Sequence, residues 1–143
     1  TIPWDTKAAG LYMICTLSKH EAEKQGYTDS LMLDHEGYVA EATGANIFFK
    51  DKDGALHTPI PDSFLDGITR RTVIEIANSM NIKVNERKIK PEELKNFVGC
   101  FLTGTAAEVT PVSQIDKFNY KVCNTIIQLS ESYQQTVRKK KAA

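Results

Sequence analysis

Apolar positions along the chain switch between two periods. From Ala8 to Gln25 they recur at Leu11, Ile14, Cys15 and Ala22, with Lys19, Glu21, Glu23 and Lys24 elsewhere. That spacing predicts an amphipathic helix, and Gly26 is placed to end it. Shorter apolar runs follow, punctuated by turn residues. SLMLD and YVAEA flank Gly37 and predict a hairpin. NIFFK and ALHTP flank Asp51-Lys52-Asp53-Gly54 and predict another. The helical period returns over Gly67–Asn81, with Val73, Ile74, Ala77 and Met80 on one face, and over Val122–Arg138, with Ile126, Ile127, Leu129, Tyr133 and Val137. Between them Lys83–Ile89 predicts a strand, Pro91–Leu94 a helical turn and CFLTG a further strand. The mixture predicts one α/β or α+β domain, strands surrounded by helices, with no internal boundary or repeat.

One polar residue breaks this pattern. Glu41 stands in YVAEATGANIFFK among apolar and small neighbours. A buried carboxylate without a partner is costly or takes up a proton, so Glu41 faces either water or a cation.

Composition narrows the field. The 143 residues suffice for one domain with a sizeable core. The 18 basic and 18 acidic residues cancel, and whole-chain charge suggests neither nucleic acid nor membrane as a partner. The one basic run, Arg138-Lys139-Lys140-Lys141, reads as a solvated tail. Cys15, Cys100 and Cys123 are scattered through apolar stretches without a CxxC pair. They read as small buried hydrophobes of a reducing compartment, with no disulfide frame and no metal site. No apolar run reaches the length of a membrane span, so a cytoplasmic location is the expectation. The start at TIPWDTK, without an initiator Met, reads as the start of a fragment.

Three further stretches carry candidate chemistry. Lys7 lies just before the first predicted helix, where an ammonium is electrostatically disfavoured. An amine held neutral there can form Schiff bases, though a lysine at such a place is also an ordinary exposed residue. In LDGITRRTV, Leu65 to Val73, a Gly is followed by hydroxyl and basic residues at a helix start. The N–H groups of Gly67, Ile68 and Thr69 suit a phosphate, and equally suit a plain N-cap. In FLTGTAAEVTPV, Phe101 to Val112, an apolar strand runs into small residues. There Thr105 and the amides of Ala106 and Ala107 could hold an anion, or the chain simply bends. Glu108 and Thr110 read as supports of that loop. A ligand with a carbonyl, a protonatable ring nitrogen and a phosphate would use all of these groups, and pyridoxal phosphate is such a ligand.

TIPWDTKAAGLY, EATGANIFF, LDGITRRTVIEIA and FLTGTAAEVTPV, in this order and at these separations, resemble the branched-chain amino acid aminotransferases. These are fold-type IV pyridoxal-phosphate enzymes, related to the D-amino acid aminotransferases. The resemblance covers nearly the whole chain and implies that residues 1–143 are the larger, C-terminal domain, with the smaller N-terminal domain absent. By it, Lys7 matches the lysine that forms the Schiff base with pyridoxal 5′-phosphate and then shuttles the proton. Tyr12 matches the tyrosine bonded to the cofactor's phenolic oxygen. Glu41 matches the carboxylate on the pyridine nitrogen, and Leu65 a residue packed on the ring. Ile68, Thr69 and Thr105 match donors to the phosphate, with backbone and side-chain donors at the first two. The amides of Thr105 and Ala106 match the site for the substrate α-carboxylate.

The resemblance further implies transamination of branched-chain L-amino acids with 2-oxoglutarate in two half-reactions, by a homodimer or larger homo-oligomer. The alternatives are a D-amino acid aminotransferase, an aminodeoxychorismate lyase, a binding module of the same fold, or an inactive fragment. The GTAAEVTPV run matches the branched-chain group better than the other two enzymes. Three positions depart from the common pattern: Leu11 replaces an Asn before the tyrosine, Ala45 a Glu, and Asp66 a Pro. They bear on substrate preference and loop rigidity.

Overall fold

The computed structural model describes Pro3 and residues 5–139, the last without its side chain. Thr1, Ile2 and Trp4 of the first motif, and Lys140 and Lys141 of the basic run, lie outside the described residues. A 3₁₀ turn over Ala9–Leu11 leads into α1, Tyr12–Lys24. A hairpin follows, β1 (Leu31–Leu33) and β2 (Val39–Ala42), then β3 (Asn46–Lys50) and β4 (Leu56–Thr58). Next come α2 (Ile68–Ser79), β5 (Val84–Glu86), a 3₁₀ turn over Pro91–Asn96 and β6 (Gly99–Gly104). The chain continues through β7 (Glu108–Pro111), β8 (Gln114–Ile115) and β9 (Phe118–Asn119) to α3, Asn124–Lys139.

The central sheet has five strands in the order β5-β4-β3-β6-β7. Both predicted hairpins form. That of β3 and β4 turns at Gly54, whose φ of +92° suits a residue without a Cβ. A parallel strand needs a long crossover, and α2 supplies it between β4 and β5. The strand β3 pairs with β6 so that Phe48 opposes Phe101 and Asn46 opposes Thr103. Its residues Asn46 to Phe49 are all buried, which explains why the run reads as continuous rather than alternating. On one face Phe48 stacks on Phe101, centroids 4.9 Å apart, under Val73 and Ala77 of α2 and Ile126, Leu129 and Tyr133 of α3. On the other face Ile47, Phe49 and Cys100 meet Val39, Ile89, Leu94, Phe97 and Tyr120.

Several expectations need correction. No residue of α1 is buried, and Ile14, expected on its inner face, is 64% exposed beside Met13 and Leu17. Spacing tells which face of a helix is apolar, not whether another element covers it. The strand expected over Lys83–Ile89 is only β5, because parallel pairing with β4 ends at Glu86. On α3, Ile127 points outward at 44% exposure. Of the three free cysteines only Cys100 is buried. Past Gly104 the chain continues as β7 to β9, where small and polar residues gave no alternating signal.

Among the described residues no helix is long and apolar enough to cross a membrane.

Candidate functional site

Glu41 projects from β2 and is only partly exposed. Burial raises its carboxyl pKa to about 7, from an ordinary value near 4.5. Its Oε2 accepts a bond from Asn46 Nδ2 at 3.2 Å. Among the described residues no cation pairs with it. Its sequence context left water or a cation as its partner, and the described residues supply no cation.

Asn46, at the start of β3, joins this carboxylate to the loop before α2. Its Nδ2 also donates to the carbonyl of Leu65 at 2.9 Å, and its Oδ1 accepts from the Gly67 amide at 3.2 Å. The loop lies so close that a Cβ on Gly67 would sit 2.4 Å from Asn46 Oδ1. Here glycine is required by close approach, since its φ of −62° is open to any residue. The first hydrogen bond of α2 runs from Arg71 N–H to Gly67 O, 3.1 Å. The amides of Ile68, Thr69 and Arg70 thus precede the helical ladder, and Gly67 offers no side-chain cap. Of the three amides that the sequence offered to an anion, that of Gly67 is taken by Asn46. Those of Ile68 and Thr69 precede the ladder, as a helix start predicts.

The neighbouring side chains divide their roles differently from expectation. Ile68 is 77% exposed. Thr69 is buried, its hydroxyl 3.3 Å from that of Tyr133 on α3. Arg70, one of the two basic residues after Gly-Ile-Thr, is 1% exposed and turned to acidic groups. It donates to Asp66 Oδ1 at 2.8 Å, Glu86 Oε2 at 2.6 Å and the Pro59 carbonyl at 3.0 Å. It anchors the head of α2 to β5. Asp66, the departure from a common Pro, thereby fastens this turn.

The third stretch folds into the β6–β7 hairpin, with Thr105 and Ala106 exposed at its tip. Glu108 takes a left-handed φ of +49°, and the Thr110 hydroxyl donates to the Ala107 carbonyl at 2.5 Å, so Thr110 supports the loop as expected. The hairpin packs on the β2–β3 turn: a Cβ on Gly104 would lie 3.4 Å from the Gly44 carbonyl and 3.5 Å from Ala45 Cβ. Since Asn46 pairs with Thr103, the carboxylate, the amides of α2 and the Thr105 tip share one end of the sheet. Lys7 is exposed before the 3₁₀ turn, and Tyr12 opens α1. Neither side chain is hydrogen-bonded to that cluster among the described residues. Helix α1 approaches it at Cys15, whose thiol is pushed up by burial and by the charges of Glu41 and Asp29.

A cleft of about 640 Å³ lies elsewhere, between α1 and the β7–β8 segment, and Ala42 and Ile47 line it. Glu41 and Asn46, their neighbours along the strands, do not line it. Sequence reasoning missed Asn46 and the structural use of Arg70. The available signal for Asn46 was an amide opening an otherwise apolar strand.

The donor set fits a phosphorylated cation such as pyridoxal phosphate: a desolvated carboxylate with no counter-charge among the described residues, and first-turn amides of α2 that follow a close-approach glycine.

A family model described as amino-transferase class IV matches residues 3–115. A probable branched-chain-amino-acid aminotransferase of Rickettsia felis is 51% identical over 120 residues, 84% of this chain and 41% of that protein. The branched-chain aminotransferase of Thermoproteus uzoniensis, crystallised with norvaline, superposes with a TM-score of 0.89 at 38% identity, over 94% of this chain and 45% of that one. The branched-chain amino acid aminotransferase of Thermobaculum terrenum, in its PLP form, gives 0.91 at 37%, over 96% and 46%. The chain spans about half the length of the curated relatives it matches.

Proposed function

The chain belongs to the class IV amino-transferases, and from that premise we propose that it is the cofactor-holding part of a branched-chain L-amino acid aminotransferase using pyridoxal 5′-phosphate and 2-oxoglutarate. The observation that carries this reading is the Glu41 carboxylate, desolvated and joined through Asn46 to the amides at the head of α2. Relatives crystallised in a PLP form and with norvaline support the cofactor and the substrate class.

In this reading Glu41 holds a proton on the ring nitrogen, and its preference for a cation follows from its burial. The Ile68 and Thr69 amides, with Thr105, hold the phosphate. Leu65 packs on the ring, and Tyr12 donates to the phenolic oxygen. When bound, the cofactor supplies an electron sink for the bonds at the substrate α-carbon. Lys7 Nζ, at the solvent-facing foot of α1, carries the cofactor at rest and moves the α-proton once released. The amides of Thr105 and Ala106 orient the substrate α-carboxylate. We further infer that the enzyme is cytoplasmic and homo-oligomeric, and that residues 1–143 are its C-terminal domain.

Borohydride reduction of the full-length protein with pyridoxal phosphate, followed by peptide mapping, tests the assignment. An adduct on Lys7 is expected, and its absence would remove the cofactor reading. L-leucine, D-alanine and aminodeoxychorismate offered in parallel test the substrate. Reaction with D-alanine alone would overturn the branched-chain reading.

A further inference from the structure

The amide of Asn46 makes three hydrogen bonds, to three groups on two separate elements. Nδ2 spends both hydrogens, on Glu41 Oε2 and on the Leu65 carbonyl; Oδ1 takes the Gly67 N–H. These partners fix the orientation of the amide, since the reversed one would set NH₂ against an N–H and oxygen against two acceptors. At 5% exposure the side chain cannot exchange these bonds for water, and its backbone is locked in β3 opposite Thr103. Gly67 adds an independent observation, because any side chain there would collide with Oδ1.

We propose that Asn46 is a positioning residue that fixes the separation between the Glu41 carboxylate and the amide-lined head of α2. It thereby sets the length of ligand that can reach a carboxylate with its cation and the amides with its anion. The ligand part of this inference rests on the pyridoxal phosphate reading; the coupling of the two elements does not. A bond donated to Oε2 favours the ionised carboxylate, so displacing the amide must be felt at Glu41. Around that carboxylate, the titratable group facing it from α1 is Cys15, whose thiol is raised and stays protonated. Asp66 on the loop and Glu86 on β5 both pair with Arg70 of α2.

The test compares full-length wild type, Asn46→Ala, Gly67→Ala and the double variant by two measurements. The first is the titration of Glu41, read without ligand by NMR of glutamate labelled at the side-chain carboxyl. The second is the dissociation constant for pyridoxal phosphate. Asn46→Ala is expected to raise the Glu41 midpoint and to weaken pyridoxal phosphate at least tenfold. Gly67→Ala, which does not touch Glu41, is expected to move the midpoint the same way by pushing the amide aside. In the double variant the clash is gone, so it should match Asn46→Ala alone. A Glu41 midpoint unmoved by Gly67→Ala, or single effects that add in the double variant, would overturn the coupling. Gly67→Ala keeps the buried amide, so it decides the matter even where Asn46→Ala does not fold. Wild type that binds no pyridoxal phosphate would refute the cofactor reading, while the ligand-free titration still judges the coupling.

Discussion

Replacing Glu41 by Gln removes a charge while nearly keeping the shape, and its effect on stability should depend on pH. In the ligand-free protein the carboxyl is raised from about 4.5 to about 7 by burial. The folded state therefore keeps its proton longer than the unfolded chain. Between those two values the native protein binds more protons, so stability falls as pH rises through the window and levels above it. At about 1.4 kcal/mol for each tenfold change in the proton equilibrium, the loss amounts to about 3 kcal/mol. That figure reflects burial alone, and the hydrogen bond donated by Asn46 acts in the opposite direction. Urea unfolding of wild type and Glu41→Gln at pH 4, 5, 6, 7 and 8 isolates the effect, because every other titrating group is common to both. Wild type should lose about 3 kcal/mol relative to the variant between pH 4 and pH 8. Parallel curves, within about 0.5 kcal/mol, would refute the claim that this carboxylate is desolvated and unpaired.

Three other substitutions probe separate parts of the structure. Lys7→Ala, at an exposed position, should change stability by less than about 0.5 kcal/mol in urea; it should abolish both turnover and the borohydride-trapped adduct. Arg70→Met leaves the Pro59 carbonyl without its donor, while Asp66 and Glu86 are 36% and 46% exposed and regain water. A loss of about 1 to 3 kcal/mol in thermal or urea unfolding is expected. Arg70→Lys should recover less than half of it, because one ammonium cannot reach three acceptors served by a planar fork. Phe101→Ala removes a fully buried ring stacked on Phe48 and should cost about 3 to 5 kcal/mol by the same assays.

Much of the fold was legible in the order of residues. The two hairpins, α2 and α3 follow from period and turn chemistry, because a strand or helix that buries one face must repeat its apolar positions at fixed spacing. Glu41 was legible as a candidate for the same reason. A charge inside such a pattern is costly unless something pairs it. The Gly-Ile-Thr order likewise announced a helix start, though not that Asn46 takes the Gly67 amide. The roles carried over by resemblance to Lys7, Tyr12, Glu41, Leu65, Ile68, Thr69, Thr105 and Ala106 remain proposals for experiment.

Only the tertiary structure decided how these pieces meet. Arg70 and Arg71 are equivalent basic residues in sequence. In the fold one is buried against Asp66 and Glu86, and the other is 58% exposed. Thr69 turns inward because Tyr133, 64 residues later, comes within 3.3 Å. Asn46 reads as an ordinary strand residue, until the loop at Leu65–Gly67 is laid over it and its amide becomes the link between carboxylate and helix head. Local periodicity reports how each segment divides apolar from polar surface. Pairings between distant segments depend on which surfaces meet, and no spacing along the chain records that.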